Sequence, residues 1–156
     1  MTIRPASAQD WRRVGELCEL LVGQHHAWDA RRFIPVDRLS GDAYTSRVRD
    51  EIAHAHATVL VAEVDGRVAG YVFVSVEAES WKELRPEAGY IHDIVVDPAH
   101  RRHGAGTALL KAALDWFAAH NITRVMLWTA PQNTQAQSLF RRFGFRTTML
   151  EMMREG

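Results

Sequence analysis

The sequence predicts an α/β protein in which an antiparallel strand pair precedes a strand–helix–strand unit. The valine-rich stretches 58–64 and 67–76 flank Asp65-Gly66, a dipeptide favoured in two-residue hairpin turns. Three further patterned stretches follow in order: a strand over 90–96, a helix over 104–119 and a strand over 122–129. Alternation of strands and helices in this way is typical of sheets covered by helices.

Two amphipathic helices are predicted before the hairpin. A short strand over residues 2–4 comes first, and Ser7 with Asp10 forms a Ser-x-x-acid helix start. The first helix is expected to run to about Gly23. Its apolar side is formed at helical spacing by Trp11, Val14, Cys18, Leu21 and Val22. The second carries one apolar face, formed by Tyr44, Val48, Ile52 and Ala55. Residues 25–41 between them show no clear period and are candidates for lining a substrate site.

The loop over residues 101–106 is suited to hold a phosphate group. Gly104 and Gly106 tolerate positive φ and lack a Cβ, so backbone N–H groups can face an anion at the helix N-terminus. Arg101 and Arg102 add charged donors. A dinucleotide fingerprint is excluded because Leu109 stands where its third glycine belongs, and a P-loop is excluded because no lysine precedes the threonine. A plain glycine-rich turn that caps a surface helix is the simpler alternative.

A second motif follows the last strand of this unit. The helix over 104–119 has an apolar face at i, i+3, i+4 spacing and ends near Asn121, a residue that tolerates left-handed geometry. Asn133 is a good N-cap for a further helix. The apolar stripe of that helix consists of Ala136, Leu139, Phe140 and Phe143, and Gly144 ends it. Phe145 then begins a last predicted strand.

These two motifs together resemble the GNAT superfamily of acetyl-CoA-dependent N-acyltransferases. Arginine, two spacer residues, glycine, any residue and glycine is the superfamily signature, and it is matched from Arg101 to Gly106. Asn133, Ala136 and Gly144-Phe145 match the second motif, so the resemblance covers residues 90–145. It implies an α/β (α+β) GNAT fold with a central mixed, mostly antiparallel sheet flanked by helices. It also implies acetyl-CoA as co-substrate, bound by the strand–helix–strand unit.

The resemblance further implies which residues contact the co-substrate. The strand end at Val95 and Val96 would bind the thioester arm through its backbone amides, and one of them would polarise the acetyl carbonyl. Asn133 and Ala136 would lie along the pantetheine, with Phe140 beside them. The phosphate loop would contribute Arg101, Arg102, His103, Gly104, Ala105, Gly106 and Thr107.

Phe140 departs from the superfamily pattern, because many members carry at that position a tyrosine that is taken to protonate the departing thiolate. A thiol with a pKa near 8.5 leaves as thiolate at a cost of roughly 2 kcal/mol at neutral pH, so the missing acid is tolerable. We therefore expect an N-acetyltransferase that works by direct attack in a ternary complex. An acyl-CoA-binding sensor without turnover is the alternative that Phe140 leaves open.

The strand before the phosphate loop carries the candidate general base. Strict alternation places Tyr90, His92 and Ile94 on one face and Ile91, Asp93 and Val95 on the other. Some amine-acetylating GNAT members have histidines at the positions of Tyr90 and His92, so the resemblance makes His92 the first candidate, with Tyr90 beside it. Imidazole suits this role because it titrates near neutral pH. A histidine that is merely hydrogen-bonded inside the sheet is the alternative.

Glu77 is the second candidate for a base or for a contact with a cationic acceptor. It ends the hairpin strand, and Glu79, Glu83 and Glu87 follow it closely. A solvated, charged loop would explain the same residues. Cys18, on the apolar face of the first helix, is expected to be a core residue rather than a nucleophile. No metal ligand set is predicted.

Composition narrows the class of protein. The 156 residues are 47% apolar, enough for one core, so residues 1–156 are expected to form a single domain. Nineteen basic residues balance nineteen acidic ones, which argues against nucleic-acid and anionic-membrane partners. The single cysteine and the lack of a signal-like or spanning apolar stretch favour a reduced, cytoplasmic setting.

The partners are less specified. The acceptor is a small-molecule or protein amine whose identity the sequence does not define, and the acyl group, acetyl or longer, is equally undefined. The C-terminal segment contains Met149, Leu150, Met152 and Met153. Such a segment favours contact with a second subunit, so a homodimer is expected. A protein interaction module is the third hypothesis.

Overall fold

Five strands and four α-helices make up the computed structural model, which describes residues 1–156. The strands are β1 Thr2–Pro5, β2 Ala57–Val64, β3 Arg67–Glu77, β4 Ala88–Val96 and β5 Val125–Leu127. The α-helices are α1 Trp11–Trp28, α2 Gly41–His54, α3 Ala105–Ala119 and α4 Thr134–Arg142. Short 3-10 turns occupy Val36–Arg38 and Pro98–His100. None of the helices has the length and apolar character needed to cross a membrane.

The sheet is mixed and mostly antiparallel, as predicted. Its order is β1-β2-β3-β4-β5; the first four strands pair antiparallel, and β5 pairs parallel with β4. Asp65 and Gly66 have φ values of +49° and +73°, so both central residues of the β2–β3 turn are left-handed, as a type I′ turn requires. The predicted hairpin is confirmed.

Each face of the sheet has its own apolar core. Leu60, Val72 and Val74 face α3 and α4, where Leu109 and Phe117 are fully buried against them. Val59, Val61 and Phe73 face α1 and α2. The two helices on this second face cross closely, because a Cβ on Gly41 would lie 2.7 Å from the carbonyl carbon of Gly15. Cys18 is 1% exposed in this core, which confirms that it is a core residue.

The strict alternation predicted for β4 is wrong from Asp93 onward. Val74 pairs with Ile91, but the next residue of β3, Phe73, pairs with Asp93, so His92 is an extra residue in a β-bulge. Tyr90 and His92 share the face of α1 and α2, as predicted. Asp93 joins them there, where it bonds Tyr44 of α2. Ile94 packs instead on the α3 side.

β5 is shorter than the predicted strand over 122–129. It pairs with β4 at only three positions, ending at Ile91 and Leu127. The chain then turns into α4, because the carbonyl of Ala130 is bonded by the Asn133 N–H and by the Gln137 side chain rather than by a strand. Beyond Ile91 the two parallel strands therefore separate, and a cleft opens between them.

Three other boundaries differ from prediction. α1 continues past Gly23 to Trp28, since a glycine inside a helix costs about 1 kcal/mol without ending it. Ala55 is not on the apolar face of α2 but follows its end as the C-cap and is exposed. No strand begins at Phe145: the chain from there on lacks regular structure. Its Glu151 and Glu155 form ion pairs with Arg32 and Arg31.

Candidate functional site

The predicted phosphate loop leads into the N-terminus of α3. Gly104 precedes the helix with φ +84°, and its carbonyl accepts the first helical bond, from the N–H of Ala108 at 2.9 Å. The N–H groups of the first helical turn have no partner in the helix and are available to an anion. Gly106 is helical rather than left-handed, and Arg102 adopts the positive φ, +66°, instead. Ala105 is buried, whereas Arg102 and His103 are exposed.

Side chains on both sides hold this loop in place. The Asp97 carboxylate accepts a hydrogen bond from the N–H of Ala99 at 2.8 Å and pairs with Arg13 of α1. These contacts lower the pKa of Asp97 below its usual value. Arg101 donates from Nε to the carbonyl of Val96 at 3.1 Å, so its guanidinium bridges the end of β4 and the loop.

The second predicted motif lies next to the phosphate loop. Asn133 caps α4 as expected, with its Oδ1 accepting from the N–H of Ala136 at 3.2 Å. The start of α3 packs on α4, since a Cβ on Gly106 would lie 3.5 Å from the side chain of Leu139. Phe140 is 6% exposed and belongs to the α3-side core. It contributes no proton to the cleft.

A cavity of about 240 Å³ occupies the cleft between the separating strands. Asn133, Ala136 and Phe140 line it on the α4 side. The irregular stretch after α1, a candidate for lining a site, lines it with Phe33 and Ile34 on the opposite side. The strand ends Val95 and Val96 do not line it with their side chains, which pack into the cores on the two faces of the sheet. Beyond Ile91, however, β4 has no strand partner on its β5 side.

His92 lies at the junction of this cavity and a second one of about 230 Å³. Its ring stacks on Phe73 and Tyr90 with centroid distances of 4.6 and 5.5 Å. Its Nε2 lies 2.6 Å from the Ser75 hydroxyl oxygen, and that hydroxyl donates to Glu77 Oε1 at 3.1 Å. Glu77 Oε1 also lies 3.5 Å from Nε2. The structure therefore brings all three predicted catalytic residues, Tyr90, His92 and Glu77, together.

Ser75 is a site residue that sequence reasoning missed. Its hydroxyl has one proton, and when Glu77 accepts that proton, the imidazole Nε2 is the donor to Ser75. Neutral His92 then carries its proton on Nε2, and Nδ1 is left with a lone pair and no hydrogen bond from the chain. Ser75 stands on the same face of β3 as Phe73, and this polar residue within a valine-rich strand was the available signal.

The second cavity is bounded by charged residues. Glu77 and Glu83 line it, and Arg85 bonds Glu83 at 2.6 Å and lies 3.8 Å from Glu77. Glu79 and Glu87, predicted as neighbours of Glu77, are exposed outside it. Glu51, Glu77 and His92 each offer a side-chain atom that could bind a metal ion, and these atoms lie within 4.8 Å of one another. Burial raises the pKa of Tyr90, whose ring forms part of the wall.

Asp93 is the second residue that sequence reasoning missed, because it was predicted on the other face. It lines the first cavity, and both Tyr44 and Tyr71 donate to its Oδ2, the latter at 3.4 Å. Burial raises the pKa of Asp93, against the opposing effect of these phenol hydrogen bonds and of nearby His92.

Solved structures with the same fold include acetyltransferases. The chain superposes on a mutant of the BH1408 protein from Bacillus halodurans with a TM-score of 0.86 at 22% identity, covering 99% of both chains. It superposes on the aminoglycoside 6'-N-acetyltransferase AAC(6')-Ig from Acinetobacter haemolyticus with a TM-score of 0.73 at 22% identity, covering 100% of this chain and 98% of the other. AAC(6')-Iy, solved in complex with CoA, gives 0.77 at 18% identity, covering 99% and 93%.

Curated relatives are acetyltransferases as well. L-2,4-diaminobutyric acid acetyltransferase from Nocardia farcinica is 35% identical over 83 residues, which are 53% of this chain and 40% of that protein. Mycothiol acetyltransferase from Acidimicrobium ferrooxidans is 37% identical over 89 residues, 57% and 28% of the two chains. The aligned part thus spans under half the length of either relative. A sequence profile described as the acetyltransferase (GNAT) family matches residues 20–145. The chain therefore belongs to the acetyltransferase (GNAT) family.

Proposed function

We propose that this chain transfers an acetyl group from acetyl-CoA to the primary amine of a small molecule or a protein, by direct attack in a ternary complex. One observation carries the proposal: His92, with its free Nδ1, stands where the cavity reached from α4 meets a second cavity. The first cavity offers two sides at this base, the α4 side for the donor and the opposite side for the acceptor. Residues 1–156 provide both sides, and we place the whole reaction in one domain.

The donor takes the α4 side of the cleft. Its pyrophosphate binds the unpaired N–H groups of residues Gly104 to Thr107, with Arg101, Arg102 and His103 beside them. The pantetheine runs past Asn133, Ala136 and Phe140. The backbone of Val95 and Val96, which β5 leaves unpaired, bonds the thioester arm. The family membership and the CoA complex of AAC(6')-Iy support this assignment.

The acceptor must lose a proton before it attacks. An alkylamine with a pKa near 10.4 is almost entirely protonated at pH 7, so deprotonation is the demanding step. His92 receives that proton at Nδ1, while Ser75 and Glu77 hold the imidazole in place. Tyr90 fixes the ring plane by stacking. The amine lone pair then forms a bond to the carbonyl carbon, and a backbone N–H stabilises the oxyanion.

The reaction ends without a protein acid. The carbon–sulfur bond breaks and sulfur leaves as thiolate. One of the two protons on the attacking nitrogen passes to solvent, and the other stays on the new amide. Phe140 cannot protonate the thiolate, and water does so at a cost of roughly 2 kcal/mol for a thiol with a pKa near 8.5. No acyl-enzyme is involved, since Cys18, the one cysteine of the chain, is buried in the core beneath α1 and α2.

Thiol release from acetyl-CoA with a panel of amines and peptide N-termini tests the proposal. We expect turnover with one class of amine and a loss of ~10² or more in His92→Ala, the scale of general base catalysis. His120→Ala is the matched control, since His120 stacks on Trp116 of α3, on the far side of the sheet. Acetyl-CoA that raises the melting temperature with no thiol release on any amine would favour the sensor that Phe140 suggests.

A further inference from the structure

We propose that the acceptor is a primary amine on an apolar body without a carboxylate, and that Asp93 binds its ammonium group in the 240 Å³ cavity. This inference rests on the proposed function. It defines the acceptor class from three properties of the cavity: the charge of its walls, their apolar character and the free oxygen of Asp93.

The charge of the walls excludes an anionic acceptor. Asp93 is the only carboxylate that lines the cavity, and no lysine or arginine lines it. The other ionisable groups there are His25 and His92. A substrate carboxylate would lose its water, lie near Asp93 and find no permanent positive charge, so its burial would be unfavourable. An amino acid is therefore a poor acceptor at this site.

The wall opposite α4 is apolar. Leu21 and Val22 of α1 face the cavity together with Phe33 and Ile34 of the stretch that follows. His25 packs edge-on against Phe33 with a centroid distance of 4.9 Å, and its Nδ1 is bonded to the carbonyl of Leu21. Hydroxyl-rich acceptors would lose hydrogen bonds to water here, whereas an alkyl or aryl body would be stabilised by its burial.

Asp93 supplies the point of attachment. Tyr44 and Tyr71 both donate to Oδ2, so this oxygen is held in place, while Oδ1 receives no hydrogen bond from the chain. The bulge at His92 puts this carboxylate next to the imidazole on one face of β4. An ammonium that donates to Oδ1 has its nitrogen beside His92, which can accept the proton.

The second cavity is the weaker site for a cation. Its two glutamates already share Arg85, which bonds Glu83 at 2.6 Å and lies 3.8 Å from Glu77. A cationic ligand would have to compete with this guanidinium. Asp93 has no such internal counter-ion: its hydrogen bonds come from two neutral phenols.

A matched pair of ligands tests the acceptor class. 2-Phenylethylamine and L-phenylalanine differ only in the α-carboxylate, and calorimetry with thiol release measures the binding and turnover of each. We expect kcat/KM to be about 100-fold higher for 2-phenylethylamine than for L-phenylalanine, because the site would leave the α-carboxylate of L-phenylalanine without a partner. Ethanolamine, which has no apolar body, is expected to bind as weakly as L-phenylalanine.

Two variants connect the preference to named residues. Asp93→Asn keeps the shape of the side chain and should weaken 2-phenylethylamine binding about tenfold or more while acetyl-CoA binding is unchanged. Ile34 is 52% exposed at the rim of the cavity, so Ile34→Lys adds a cation there without disturbing the core. It should reduce the preference for 2-phenylethylamine over L-phenylalanine, because the lysine attracts the carboxylate of L-phenylalanine.

Each outcome has a distinct meaning. Equal or better use of L-phenylalanine, or an unchanged preference in Ile34→Lys, would overturn the acceptor class and leave acetyl transfer standing. Binding of neither ligand to protein that still binds acetyl-CoA would also overturn it. Selective binding of 2-phenylethylamine without acetylation would support the acceptor class and overturn the proposed function instead.

Discussion

His92 Nε2 lies 2.6 Å from the hydroxyl oxygen of Ser75, a residue seventeen positions earlier on the neighbouring strand. The hydroxyl donates a hydrogen bond to Glu77 Oε1 at 3.1 Å, so His92, Ser75 and Glu77 form a hydrogen-bonded chain. The Ser75 hydroxyl thereby selects one tautomer of the imidazole and leaves Nδ1 as the acceptor. Because Ser75 is 1% exposed, this hydrogen bond is sheltered from competing water.

Ser75→Ala is expected to lower kcat about tenfold, a part of the ~10² to 10⁴ that general base catalysis contributes, because the imidazole loses its fixed tautomer. The KM for acetyl-CoA should not change, since Ser75 lies away from the phosphate loop. Steady-state kinetics on the best amine provide the measurement. Ser75→Thr retains the hydroxyl and should recover most of the rate; wild-type kcat in Ser75→Ala would refute the positioning role.

The two glycines of the phosphate loop should respond differently to alanine. Gly104→Ala places a side chain at φ +84° and should reduce the free energy of unfolding by about 1 kcal/mol through backbone strain alone, since its Cβ would touch nothing. Gly106 is helical, and its Cβ would make an ordinary 3.5 Å contact with Leu139, so Gly106→Ala should keep or raise stability.

Acetyl-CoA binding distinguishes an effect on stability from an effect on the site in the Gly104→Ala and Gly106→Ala variants. Gly106→Ala should raise the KM for acetyl-CoA about tenfold, because the added methyl group, which faces Leu139 of α4, narrows the approach to the backbone N–H groups at the start of α3. Thermal melting with and without acetyl-CoA measures both effects on one sample. A stable Gly106→Ala protein with unchanged KM would show that the anion binds elsewhere.

The parts of the fold governed by local chemistry were predictable. The turn at Asp65-Gly66, the left-handed Asn121 at φ +60° and the Asn133 cap all follow from preferences of single residues. The boundaries that failed depend on distant partners. β5 stops at Leu127 because the backbone of the following residues is hydrogen-bonded within the turn into α4. The C-terminal segment forms ion pairs with Arg31 and Arg32 and does not pair with a strand.

The site was predictable by residue but not by geometry. The alternation rule put Tyr90 and His92 on one face correctly. It failed from Asp93 onward because a bulge depends on how β3 and β4 pair, which period alone does not show. Ser75 was visible in the sequence as a polar residue in a valine-rich strand, but its contact with His92 depends on the register that sets Ser75 opposite Tyr90. The roles of Ser75 and Asp93 were therefore not predicted from the sequence, whereas the motif residues were.

Cys18→Ala is expected to leave turnover unchanged. The thiol is 1% exposed, and burial raises its pKa to about 12, so almost no thiolate exists at neutral pH. The only cost should be about 1 kcal/mol of stability from lost packing of a small core side chain. Mass spectrometry of the protein after incubation with acetyl-CoA is the direct check. An acetyl group on Cys18 would contradict attack in a ternary complex.

Asp10 is expected to make stability depend on acid pH. Its carboxylate accepts from two Arg4 nitrogens at 2.7 and 3.1 Å and from the N–H and hydroxyl of Ser7 at 2.6 and 2.7 Å. In the folded protein the pKa of Asp10 is lowered from 3.8 to about 2. The main cause is the hydrogen bonding to Arg4, and the hydrogen bonds from Ser7 add to it. The folded state thus favours the ionised form, and its contribution is complete above pH 3.8 and lost as pH falls toward 2.

A shift of this size corresponds to about 2 kcal/mol at 1.36 kcal/mol per pKa unit. Asp10→Asn should therefore be about 2 kcal/mol less stable than wild type at pH 7. The difference should shrink to a small part of this near pH 2, where about half of the wild-type carboxyl is protonated. Urea unfolding followed by tryptophan fluorescence across this range measures both curves. Glu151→Gln, which breaks an exposed pair with Arg32, is the control and should follow wild type at every pH. A difference between Asp10→Asn and wild type that stays constant from pH 7 to 2 would mean that Asp10 acts through packing rather than through its charge.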